Sequence, residues 1–282
     1  MTPTRRPAPA QGPAGGAAAA PRPALRAVAL PIEHGAWGFL LEPALLGLLL
    51  AWSPAGLALA FAALMTLLLQ TPVSLLAADA RRGKVYPRTR LARRVAAGYA
   101  AAWAIGLALA WQAAGELGWL WPAVFALPLA AVQLAYDARN RARELVPEAA
   151  GAVAMGALAA VIAVAAGWAL GPALALWGLL ALRAVPAIVY VRARLRLERG
   201  STVSPGPTWA LHGAALLVGV GVWLAGWLAW PVVVAYALLF ARAAWGLSPW
   251  RRPVAAKVVG FGEIGFGVAT VLLLAAAVVL AG

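Results

Sequence analysis

Apolar residues in this chain come in long uncharged runs broken by short polar or Pro/Gly-rich joins, without the two-residue alternation of half-buried strands. A helix needs about 20 residues to cross a bilayer. Nine runs approach that length: 35–52, 55–78, 95–114, 118–137, 148–168, 170–190, 208–227, 229–246 and 258–281. The breaks carry helix-ending chemistry: Ser53-Pro54, Gly115-Glu116, Arg139–Pro147, Gly171-Pro172, Arg192–Pro207, Trp230-Pro231 and Pro249–Pro253. The pattern predicts an all-α, polytopic transmembrane helix bundle of about nine spans. Residues 1–27 are Pro, Ala, Gly and Arg without periodicity, which predicts a disordered tail before one transmembrane domain over 28–282. The polar stretch 79–94 has the composition of a short interfacial helix.

Composition agrees and narrows the function. Of 282 residues 64% are hydrophobic and 11% charged, with a mean hydropathy of +0.84, which excludes a soluble enzyme. The absence of cysteine excludes disulfides, zinc-thiolate sites and a cysteine nucleophile. The net charge of +14 raises the question of nucleic acid, and the placement of the charges answers it. The tail holds four Lys and Arg, the second join seven, the fourth three, the sixth four and the eighth region four, with Arg183 inside a span; the alternate joins hold none. That one-sidedness is the positive-inside signature of a bacterial cytoplasmic-membrane protein whose N-terminus is cytoplasmic and whose C-terminus lies outside. The basic excess is thereby accounted for, and no nucleic-acid partner is expected.

Seven of the nine acids fall at the cytoplasmic span ends or loops, and Glu42 sits about two turns inside the first span. Glu116 alone belongs to an outer join. His34 and His212 start spans one and seven, too peripheral for a pair of axial haem ligands. Glu198, flanked by Arg196 and Arg199, reads as a wet-loop ion pair. Ionisable groups inside spans are costly and mark interiors or wet cavities, so Glu42, Arg183 and Glu263 stand out. Arg183 is a permanent cation that requires an acceptor. Glu42, Glu263 or the head group of a ligand can supply it, and the ligand is favoured, with a carboxylate steadying the side chain.

Three motifs carry chemistry. Pro31-Ile32-Glu33-His34-Gly35-Ala36-Trp37 opens the first span and offers His34 as proton acceptor. In Tyr136-Asp137-Ala138-Arg139-Asn140-Arg141-Ala142-Arg143-Glu144-Leu145-Val146-Pro147-Glu148, alternating arginines and acids can grip a phosphate, although Pro147 opens span five and interrupts a single helix. The third runs through Arg183, Pro186, Tyr190, Arg192, Arg194, Arg196, Glu198 and Arg199, whose arginines fan around a helix so that two or three can face one ligand. The string Gly260-Phe261-Gly262-Glu263-Ile264-Gly265-Phe266-Gly267 follows no strand; it reads as close helix packing through small residues, not as a dinucleotide loop.

Glu33-His34-Gly35-Ala36-Trp37, the Tyr136–Glu148 segment, Arg183…Tyr190-Val191-Arg192 and Gly262-Glu263 together resemble the YwiC-like family of bacterial membrane proteins. That resemblance implies a polytopic inner-membrane protein and carries no activity with it. More distantly, the layout is similar to the UbiA-type prenyltransferases, which implies nine spans and a cytoplasm-facing active site. Tyr136…Arg141…Pro147…Gly151 is similar to their fourth-to-fifth span connection, and Arg88-Thr89 after Asp79 to their Arg-Thr element. Their two Asp-rich Mg²⁺–diphosphate motifs are not matched: Gln70, Ser74 and Asp79 stand at the first position and Tyr190-Val191-Arg192-Ala193-Arg194 at the second. A Mg²⁺ site needs carboxylate oxygens, so no metal site is expected.

These readings converge on a polar, cytoplasm-facing cavity that binds, or transfers, an amphipathic lipid-like molecule with an anionic head. His34, Asp79, Glu144 and Glu148 are the candidate catalytic groups; Asn140, Arg183, Tyr190, Arg192 and Glu263 are the candidate substrate-binding groups. A membrane transporter or channel and a non-catalytic assembly partner are the alternatives.

Overall fold

The computed structural model describes residues 25–30, 34–139 and 141–282, with side chains of the second segment from Trp37 onward. All secondary structure among the described residues is helical: α1 (Leu25–Ala29), α2 (His34–Leu50), α3 (Pro54–Arg81), α4 (Pro87–Ala114), α5 (Leu120–Ala138), α6 (Leu145–Ala165), α7 (Leu170–Glu198), α8 (Gly206–Leu224), α9 (Pro231–Gly246) and α10 (Ala256–Val279). Seven of these, α3 to α8 and α10, are long and apolar enough to cross a membrane; α2 and α9 are shorter apolar helices.

Local chemistry sets the boundaries. Ser53 caps α3 by accepting the Gly56 N–H at 2.9 Å, and Pro54 takes the first helical position, where its missing N–H costs nothing. Pro87 and Pro231 open α4 and α9 in the same way. Pro147 falls in the first turn of α6, and the Tyr136–Glu148 segment is divided between the end of α5, a turn, and the start of α6. Asp137, Glu144 and Glu148 therefore share no helix face.

Two expectations are corrected. Residues 79–94 form no separate interfacial helix: their ends continue α3 and α4, because Asp79 is bonded across the corner to Arg88 and Thr89. The stretch 1–27 is not wholly a tail, since α1 begins at Leu25, buries Val28 and is tied to α4 by the Tyr99 hydroxyl, which donates to Ala29 O at 3.1 Å.

α3 and α4 pack side by side, and α6 lies between α2, α3, α5 and α7. Its Ala- and Gly-rich sequence leaves it the most buried span, as close helix approach requires. The largest core cluster joins α2, α6, α7, α8, α9 and α10 around Leu46, Leu176, Tyr236, Leu239 and Leu274. α10 closes this group by packing on α2 and α9. That closure brings the ionisable residues of α2, α7, α8, α9 and α10 together.

Candidate functional site

The site is a chain of charges crossing five helices. Arg183, 3% exposed in the middle of α7, forms an ion pair through Nη2 with Glu42 Oε1 of α2 at 2.7 Å and donates to the Glu263 carbonyl of α10 at 3.2 Å. The Glu263 carboxylate is in turn bonded to Arg242 of α9. Arg242 Nη2 then approaches His212 Nε2 of α8 at 3.1 Å, while His212 Nδ1 lies 2.8 Å from the Thr208 carbonyl. A guanidinium only donates and a carbonyl only accepts. His212 is therefore neutral here, with its proton on Nδ1. The Arg242 guanidinium also lies 4.1 Å from the centre of the Tyr190 ring and 5.4 Å from that of Phe266, within cation–π range of both.

Gly267 permits this geometry. A Cβ there would fall 2.7 Å from Arg183 Nη2 and against the Glu42 carboxylate, so only a bare Cα lets α10 lie over the ion pair. A Cβ on Gly260, Gly262 or Gly265 would meet nothing within 4 Å. The close packing expected of the whole glycine string holds at Gly267 alone.

Beside the chain lies a cavity of about 670 Å³ between α2, α6, α7 and α10. Phe39, Ile188, Val191 and Phe261 contribute to its apolar wall; Glu42, Glu148, Arg183, Lys257 and Glu263 are its charged lining. Each carboxylate has an arginine: Glu42 has Arg183, Glu263 has Arg242, and Glu148 has Arg192 at 2.6 Å. Lys257 has no acid partner among the described residues and rests near the Phe261 ring, 5.6 Å from its centre. With Arg192 and Arg242, which stand behind the lining, counted as partners of Glu148 and Glu263, all three carboxylates are matched and Lys257 is the one cation left over.

Of the candidate catalytic and substrate-binding residues, Glu148, Arg183 and Glu263 line the cavity, together with Glu42, which also stood out in the sequence. Arg192 stands behind Glu148 and also donates to the Arg143 carbonyl at 2.9 Å; Tyr190 stands behind Arg242. Asp79 and Glu144 do not line it. Asp79, fully buried, accepts from Arg88 Nη2 at 2.7 Å and from the Thr89 hydroxyl at 2.7 Å. Glu144 is the exposed N-cap residue of α6 and pairs with Arg141, whose pKa it raises above the ordinary arginine value by hydrogen bonding. The side chain of His34, and Asn140, lie outside the described residues. Glu198 pairs not with Arg196 or Arg199 but with Arg194, one turn back, at 2.8 Å. Arg194 is buried and also donates to the Gly246 and Arg252 carbonyls.

Arg242 was missed. It had been grouped with the loop cations after span eight, yet it lies in α9 and is 9% exposed. The signal was available: a lone charge in an otherwise apolar run, the same feature that marked Arg183. Among the described residues no three His, Asp or Glu side chains converge as metal ligands.

Seven apolar helices of membrane-crossing length, with only helical secondary structure among the described residues, mark a polytopic integral membrane protein. Residues 30–163, just under half of the chain, match the family model described as YwiC-like protein, and over that region the chain is similar to that family. The comparisons with curated proteins and with solved structures each return no match. The matched region includes Glu42, Asp79, Glu144 and Glu148, whereas Arg183, Arg192, His212, Arg242 and Glu263 lie beyond it.

Proposed function

We propose that the cavity binds an amphipathic molecule with an anionic head, of the lipid-phosphate or isoprenoid-phosphate kind. One observation carries this reading: an apolar wall beside a lining whose carboxylates are each matched by an arginine, leaving Lys257 as the cation to be answered. About 670 Å³ suits a head group with the first part of its tail. In this reading Lys257 and Arg183 receive the anion, Arg192 holds Glu148 at the rim, and Tyr190 braces Arg242 behind Glu263. Glu148 is the carboxylate placed to take a proton should a transfer reaction occur. Asp79 and Glu144 act away from the cavity.

The same reading takes α2 and α9 as spans, giving nine. The joins after α2, α4, α6 and α8 contain no Lys or Arg, while those after α3, α5, α7 and α9 do. That alternation requires both shorter helices to cross. It supports a cytoplasmic N-terminus, a bacterial inner membrane and a cavity opening inward; the nine-span plan is also that of the UbiA-like layout. The alternative is transport, favoured by the depth of the Glu42–Arg183–Glu263–Arg242–His212 chain within the bundle.

The test is native mass spectrometry for a co-purifying lipid, with thermal melting of the detergent-solubilised protein with and without farnesyl phosphate. Stabilisation that largely disappears in Lys257→Gln and persists in Arg196→Gln is expected. No bound lipid and no stabilisation would refute binding, and a proton or solute flux in proteoliposomes would favour the alternative.

A further inference from the structure

The corner between α3 and α4 lies outside the cavity and holds the densest positive charge of the described residues. From 79 to 94 there are seven Lys and Arg and one acid. The acid, Asp79, is consumed inside the corner by Arg88 and Thr89. The other six cations, Arg81, Arg82, Lys84, Arg90, Arg93 and Arg94, are exposed and have no ion-pair partner among the described residues. This differs from the cytoplasmic ends of α6 and α7, where Arg141, Arg192 and Arg194 each meet a glutamate. An orientation signal needs only that cations be present; it does not need them fixed together in one rigid place.

The corner is rigid by construction. The Lys84 N–H donates to the Asp79 carbonyl at 3.3 Å, and the Gly83 N–H to that of Ala80 at 3.0 Å. Gly83 turns the chain at φ +61, a left-handed conformation that favours glycine. The Thr89 hydroxyl accepts the Tyr86 N–H at 2.9 Å while donating to Asp79, so one buried carboxylate ties the end of α3 to the start of α4. Arg90, Arg93 and Arg94 follow at i, i+3 and i+4, on one side of α4.

Apolar side chains share this surface. Val85, between Lys84 and Tyr86, is 70% exposed, and α1, which lies against both α3 and α4, exposes Leu25 beside Arg26, with exposed Leu30 just after its end. Cations interleaved with exposed aliphatics at the ends of two membrane-length helices match the interface of a bilayer, phosphates outside and acyl chains within.

We propose that the α3–α4 corner is a binding site for the phosphate head groups of anionic phospholipids of the surrounding membrane, held in shape by Asp79 as a positioning residue. The site goes beyond the cavity reading and does not depend on it. Arg81, Arg82 and Lys84 meet the phosphates from the α3 side and Arg90, Arg93 and Arg94 from the α4 side, with Val85 among the acyl chains.

The experiment measures binding of dioleoyl phosphatidylglycerol and dioleoyl phosphatidylcholine to the full chain in dodecyl maltoside micelles, where membrane orientation plays no part. Wild type should prefer phosphatidylglycerol at least tenfold, and the preference should fall at least tenfold from 0.05 to 0.5 M NaCl. The triple variant Arg82→Gln/Lys84→Gln/Arg90→Gln should lose at least fivefold towards phosphatidylglycerol. Arg139→Gln/Arg196→Gln/Arg199→Gln, which removes equal exposed charge elsewhere, should stay within twofold of wild type. The difference between wild type and the first triple should persist in a Lys257→Gln background, which separates this site from the cavity. Equal losses in both triples, a salt-insensitive preference, or no preference in wild type would overturn the proposal.

Discussion

Replacing Arg183 by Met removes a guanidinium that is 3% exposed and strands the Glu42 carboxylate, itself only 11% exposed, in the interior of the bundle. Breaking one side of such a buried pair costs about 3–5 kcal/mol, because the remaining charge keeps its desolvation penalty without its Coulomb partner. The Glu263 carbonyl also loses its side-chain donor. For a chain of this size about 1 kcal/mol corresponds to roughly 2–4 °C in Tm, so Arg183→Met should melt about 10 °C below wild type. Glu42→Gln should cost less, about 1–3 kcal/mol, since the amide oxygen can still accept from the guanidinium. The double variant Arg183→Met/Glu42→Gln removes both charges and should recover about 2 kcal/mol relative to the sum of the singles, within the usual range for residues in contact. The assay is thermal unfolding of the four proteins in one detergent, compared as a double-mutant cycle. Additive losses would mean that Arg183 and Glu42 do not share energy, and the ionic chain would lose its first link.

Three further outcomes follow from the same geometry. Gly267→Ala places a methyl 2.7 Å from Arg183 Nη2 and should destabilise by about 1–3 kcal/mol, whereas Gly260→Ala meets open space and should stay near wild type in the same melt. Asp79→Asn removes the charge that holds Arg88 and should cost about 2–3 kcal/mol without reducing farnesyl phosphate stabilisation at the cavity; loss of that stabilisation would return Asp79 to the binding site. With the acids of the cavity matched to arginines, stabilisation by farnesyl phosphate should survive EDTA unchanged, and a requirement for Mg²⁺ would contradict direct recognition by Lys257 and Arg183.

The helices were legible because their breaks are local chemistry: Ser53-Pro54, Pro87, Pro147 and Pro231 act on the residues beside them. Arg183, Glu42 and Glu263 were legible as a group because a charge within an apolar run is conspicuous by itself. Their pairing was not, since Arg183 and Glu263 are 80 residues apart and nothing in either segment encodes the angle at which α10 crosses α7. Asp79 shows the opposite case. It was assigned to the site because it is an acid at a span end, but its partners lie nine and ten residues away, and a local corner satisfies it before any distant group could. Arg242 was overlooked because counting charges by loop hid its place within α9. The glycine string misled in part, because small residues permit close approach without stating which of them a neighbour uses.

The order of signs along the chain explains why it can persist in an apolar setting. Glu42, Arg183, Glu263 and Arg242 alternate negative and positive, and neutral His212 ends the series by accepting from Arg242. With Glu42 and Glu263 ionised the four charges sum to zero, so the chain needs no counterion from outside, and the low local dielectric strengthens each contact. An anion entering the cavity cannot draw on these charges without competing with a carboxylate already bound to each arginine. It needs a cation with no such commitment. On the cavity lining that cation is Lys257, one turn before the end of the Lys257–Phe261 contact on α10 and two turns before Glu263's neighbour Ile264. Arg183 can then turn partly from Glu42 to the new anion without stranding a charge, because Lys257 has restored the balance. For this reason Lys257→Gln should weaken farnesyl phosphate binding more than it lowers the melting temperature of the free protein, while Arg183→Met should lower both. Equal effects of the two variants on stability and binding would contradict this division between a receiving charge and a framework charge.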